Sequence, residues 1–242
     1  ATANTEGIEG GATSVVKELA ALLVSHGASI NARETDGRTP LHRAAECCNP
    51  LAVAAFLACG ADVNAIDTHE GLTPLHCASR QQDNADTVSA LLDGGADIDA
   101  LELVCSWSPL LDAISYQNDT DIVALLVDRG ANVAIEGRVP ALHLAANYGK
   151  SEVVKLLLCR DVGVGVDDID DNGDTALHHA AEDGLLVLRV LFDHGTSSVM
   201  MANVQGSSPL GVAGVKKQNG YTAPAEEILS YCLKICGTTL LI

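Results

Sequence analysis

The chain has 242 residues, a formal net charge of −18, 48% apolar residues and only 3% aromatics. Such a charge opposes a nucleic-acid backbone or an anionic membrane as the main partner and suits a basic one. No apolar run reaches the ~18 residues of a membrane span, and no secretory leader is seen, so an intracellular protein, cytoplasmic or nuclear, is expected. Eight cysteines occur without a Cys-x-x-Cys pair. They read as reduced thiols, several of them filling small core sites, and no metal or other cofactor is expected.

Residues 1–12 are small, polar and glycine-rich and are predicted to be a disordered lead. Residues 13–36 read as an N-terminal half repeat, a lone helix over Ser14–Ser25 with Val15, Val16, Leu19, Leu22 and Leu23 as its apolar stripe. At Gly37 a motif opens, Gly-Arg-Thr-Pro-Leu-His-Arg-Ala-Ala, and it returns from Gly71, from Ser106 in altered form, from Val139, from Gly173 and from Gly206. The slot held by His42 recurs at 76, 111, 143, 178 and 211, at spacings of 34, 35, 32, 35 and 33. The units are 37–70, 71–106, a divergent 107–137, 138–172, 173–205 and a C-terminal cap, 206–242, with a helix over Ala225–Ile235. A fixed period in this range marks a helical solenoid, an all-α stack of helix-turn-helix units joined by hairpin loops.

The motif is the start of a helix written in side chains. Thr39 is a good N-cap, Pro40 is suited to the first helical position, and His42 stands where a capping box needs an acceptor. The second helix of each unit ends at a glycine, at Gly27, Gly60, Gly95, Gly130 and Gly195. Leu111 and Gly211 replace the motif histidine, so their units should lack its hydrogen bond.

In these features, from about Ser14 to about Gly237, the chain resembles the ankyrin-repeat family. The resemblance implies a structural hydrogen-bonding role for His42, His76, His143 and His178. It also implies that the inner-helix face and the hairpin tips bind a protein or peptide partner.

Positions on the outer side of the first helices vary freely between units, as a recognition surface requires. The expected contacts are Trp107, Tyr116, Tyr148, Asp112 and Leu144, with Arg43, Glu46, Arg80, His179 and Glu182 around them. From Gln81 to Asp128 there are ten acids and no Lys or Arg, which points to a partner with basic residues. The expectation is therefore a monomeric scaffold or adaptor that is not an enzyme and uses neither nucleic acid nor membrane. The alternative is an enzyme or small-molecule receptor with a pocket near His179, Asp183 and Tyr148, where His179 and Asp183 sit four apart on one helix. The run from Asp168 to Gly173 opens like a calcium loop, but its twelfth position is His179 in place of the bidentate glutamate, so no metal site is predicted.

Overall fold

The computed structural model describes residues 6–116, 120–134, 140–160, 162–181 and 185–212, with backbone alone for 6–14. Eleven α-helices appear among the described residues. They fall into two compact units, Ala1–Ala131 and Asn132–Ile242. The first holds α1 (Glu6–Ser25), α2 (Pro40–Glu46), α3 (Pro50–Ala58), α4 (Pro74–Ser79), α5 (Ala85–Asp93), α6 (Pro109–Tyr116) and α7 (Thr120–Asp128). The second holds α8 (Ala141–Asn147), α9 (Ser151–Cys159), α10 (Ala176–Ala180), α11 (Leu185–Asp193) and a 3-10 turn at Ser198–Met200. No described helix is long and apolar enough to cross a membrane.

In the first unit the helices form two rows. The motif helices α2, α4 and α6 stack on one another, and α1, α3, α5 and α7 stack behind them. The second unit repeats the arrangement, with α8 on α10 and α9 on α11. The motif leucines Leu41, Leu75, Leu110, Leu142 and Leu177 are fully buried between the rows, each contributing about 2 kcal/mol.

The motif histidines join one repeat to the next. Nδ1 of His42 accepts the Thr39 backbone N–H at 3.1 Å and lies 2.9 Å from its hydroxyl. A carbonyl can only accept, so the ring proton sits on Nε2, which donates to the Leu72 carbonyl at 2.9 Å. His76 repeats this with Thr73 and the Trp107 carbonyl, and His178 with Thr175 and the Ser207 carbonyl. His143 makes only the outward half. Its Nε2 donates to the Asp168 and Asp174 carbonyls, both at 3.0 Å. Its cap position holds Pro140, which has neither N–H nor hydroxyl, and its Nδ1 has no partner among the described residues. Burial lowers the pKa of His42 and His143 and takes that of His76 to about 4. At Leu111 the bond is gone, and the hydroxyl of Ser108, in the cap slot, is buried without a partner among the described residues.

The hairpin loops are tied sideways as well. Thr68 N–H donates to the Asp36 carbonyl, Leu103 N–H to Glu70 and Val204 N–H to Asn172. These arms are too short to form strands. Only an isolated antiparallel bridge, Ile169 with Thr175, appears among the described residues.

Two expectations for the N-terminal region change. The helix α1 reaches back to Glu6, into the segment predicted to be disordered. It packs on α3, and that docking outweighs the poor helix propensity of its glycines. Its inward face is Ala20 with half-buried Val16 and Val24, at i, i+4 and i+8, while Val15, Leu19, Leu22 and Leu23 are all more than half exposed. The expected helix over Ala225–Ile235 lies outside the described residues.

Stability should fall as pH drops from about 6.5 to about 4, because over that window the unfolded chain charges its histidines while His76 stays neutral. The His76 part is roughly 3 kcal/mol. Asp112, whose burial raises its carboxyl to about 6, opposes this over part of the window. Urea titrations across pH should therefore show a shallower slope in His76→Gln and a steeper one in Asp112→Asn.

Candidate functional site

The site grows out of the most irregular repeat of the first unit. Asp67, in the hairpin before α4, accepts the N–H groups of His69, Glu70, Gly71 and Leu72 on one oxygen. Burial disfavours its ionised form, but these donors outweigh that and hold its pKa below the usual carboxylate value. One period on, Glu102 fills the same role. Its carboxylate accepts the N–H groups of Val104 and Cys105 at 2.6 Å and of Trp107 at 3.0 Å. It too is held below its ordinary pKa against the cost of burial. Ser106 stands in the left-handed region at φ 56°, where four other repeats carry Gly37, Gly71, Gly173 and Gly206, a conformation that costs a serine ~1 kcal/mol or more.

This locked turn presents Leu103 and Val104 to solvent, 69% and 68% exposed. Leu103 also leans on Gly71, where its side chain fills the space a Cβ would need and where φ is +73°. The Leu103 N–H bonds to the carbonyl of Glu70, and the Glu70 carboxylate accepts from Arg80 at 2.7 Å. Arg80 grips Asp112 through two nitrogens at 2.9 and 3.2 Å, and its guanidinium lies 4.6 Å above the ring of Tyr116, itself 55% exposed. A relay of contacts through Glu70 and Arg80 thus runs from the exposed tip to the exposed ring.

Tyr116 is on the surface as expected, and Trp107 is half-buried, its backbone spent on His76 and Glu102. Arg80 is tied to Asp112 and Glu70. Asp112 is a correction: its side chain is fully buried and serves Arg80. Arg43 and Glu46 pair with each other at 2.9 Å, in a network that includes Glu34, Asp36 and Arg38. These are exposed or half-exposed ion pairs of small energetic value.

In the second unit Tyr148 is exposed and Leu144 is not. Leu144 is the second correction: the position after the motif histidine, occupied by Cys77 and Asp112 in other repeats, faces its neighbours in the stack. His179 is half-buried and bonds Asp170, nine residues upstream in its own hairpin, at 3.0 Å. The expected partner Asp183, and Glu182, lie outside the described residues. Asp170, Asp174 and His179 bring three ligand-type atoms within 4.8 Å of one another, yet one oxygen of Asp170 already accepts two backbone N–H groups and Asp174 accepts from Asn203. Beside them an open cleft of about 250 Å³ is lined by Asp174, His178, His179, Asn203, Gln205 and Ser207.

The family model for ankyrin repeats matches in three copies, over residues 8–67, 53–137 and 138–231. A 55-residue stretch is 47% identical to FPV233 of fowlpox virus (strain NVSL), a protein named for its ankyrin repeats; the match covers 22% of this chain and spans 11% of the viral protein. Among solved structures, the human ASB11 ankyrin repeat domain superposes with a TM-score of 0.72 at 26% identity, covering 94% of this chain and 97% of that one. The ankyrin repeat domain of Bcl-3, described as a unique member of the IkappaB protein family, gives 0.72 at 28% identity, covering 93% and 94%.

Arg80→Met should destabilise the chain by about 3 kcal/mol, since it strands a buried carboxylate. Adding Asp112→Leu should recover most of that loss, as read from urea midpoints. Additive losses in the double variant would show that the pair is not coupled.

Proposed function

The chain belongs to the ankyrin-repeat family, and from that premise we propose that it is a protein-binding scaffold or adaptor that holds its partner on the Leu103–Val104 tip and the Tyr116 ring. Ankyrin repeats are generally protein–protein interaction modules and typically not enzymes. The observation that carries the placement is a rigid turn that spends a buried carboxylate and a left-handed serine to keep two large apolar side chains in water. Preorganised apolar groups pay little ordering entropy on binding, and aromatic or aliphatic anchors supply much of an interface's energy. Acids without bases between Gln81 and Asp128 suit a partner segment that mixes Lys or Arg with apolar residues. Nothing in this role calls for nucleic acid, a membrane or a second copy. The repeat units 37–70 and 71–106, with the part of 107–137 up to Ala131, are its building blocks in the first unit.

The alternative, an enzyme or small-molecule receptor at His179, rests on the cleft in the second unit. At about 250 Å³ and open to solvent, it falls below the ~300–1,000 Å³ of ordinary ligand pockets. The protein-binding reading is the better supported.

Panning a random peptide display library on the chain should enrich peptides that combine Lys or Arg with Leu or Phe. Leu103→Ser/Val104→Ser and Tyr116→Ala should each weaken the best peptide by roughly tenfold or more, with melting temperature nearly unchanged. No enrichment, or enrichment indifferent to these variants, would count against the placement.

A further inference from the structure

A second chemistry sits in the other unit. Cys159 is the last residue of α9, and His194 follows the end of α11, 35 residues later. Because α9 stacks on α11, residues one repeat apart meet. The sulfur of Cys159 lies 3.6 Å from Nε2 of His194. Nδ1 of His194 lies 2.8 Å from the Val190 carbonyl. The carbonyl must accept, so Nδ1 carries the ring proton and Nε2 turns its lone pair to the thiol. A nucleophile, a base and a group that orients the base are thus in line. Cys159 and His194 are both exposed, so a reagent can reach the sulfur.

The other described cysteines differ, Cys59 being half-buried. Cys77 is buried, which pushes its thiol up to about 12, and desolvation with Cys47 and Asp83 nearby raises Cys48. Cys47 and Cys105 are exposed, and among the described residues no imidazole is hydrogen-bonded to either sulfur. The pair is arranged to pass a proton during attack.

We propose that Cys159 and His194 form a covalent modification site for soft carbon electrophiles of the α,β-unsaturated carbonyl class. The thiol gives its proton to Nε2 as sulfur bonds to the β-carbon. The C=C π pair moves to the α-carbon, which then takes the proton back from Nε2. Atoms balance, no group leaves, and no oxidant or reductant is needed.

N-Ethylmaleimide carries this chemistry and is the probe. The full chain is treated with less than one equivalent, quenched at intervals and digested, and labelling is read at Cys159, Cys47 and Cys105 by mass spectrometry. Cys159 should label about tenfold faster than Cys105. His194→Gln, checked for folding by circular dichroism, should bring it down to the Cys105 rate. A Cys159 rate equal to that of Cys105, or one untouched by His194→Gln, overturns the proposal.

Discussion

Where a repeat keeps its motif histidine, a buried imidazole ties it to the next. In His42, His76 and His178 one ring nitrogen closes the cap of its own helix and the other donates to a carbonyl of the following repeat. Each such bond adds only about 1 kcal/mol net. Its weight lies in the alternative, since a missing imidazole strands a cap N–H, a hydroxyl and a carbonyl together, and each stranded group costs ~1–3 kcal/mol. Desolvation lowers the pKa of His42 and His76, while the accepting carbonyls fix the proton on Nε2.

Departures from that rule mark where the chain spends stability on something else. Leu111 forfeits the bond, Ser106 takes a glycine's conformation, and Glu102 replaces the aspartate of the preceding hairpin. What these changes hold in place is an exposed apolar tip, linked through Glu70 and Arg80 to a cation-capped tyrosine. Pro140 is a quieter departure. It ends the cap bond of His143 and leaves a buried nitrogen without a partner among the described residues, at a repeat whose core is otherwise intact.

The repeat, its caps and its histidines were legible in the sequence because each is a local pattern with a local cause. The period alone also carries the Cys159–His194 contact, because residues one repeat apart on a stacked helix row touch. Exposure was harder to read. Asp112 and Leu144 lie on the polar side of an isolated helix, but neighbouring elements of the stack cover that side, and helical periodicity does not register a cover from another repeat. For the same reason His179 turned to Asp170 in its own hairpin. In α1 the larger side chains of the predicted stripe face water, because the stack accepts only the narrow Val16–Ala20–Val24 edge. The acids Asp67, Glu102 and Asp170 share a sequence signal, an acid five or six residues before the helix cap, that becomes plain once the hairpins are seen to need an acceptor.

The most direct test of this account is a long-range proton–nitrogen NMR spectrum of the histidine rings, followed from neutral pH down to about 4. His42, His76 and His178 should each show a protonated Nε2 and a bare Nδ1, and His76 should hold that form until the pH nears 4. Rings protonated on Nδ1, or a His76 that titrates near the ordinary 6.5, would contradict the claim that these imidazoles join the repeats as Nε2–H donors.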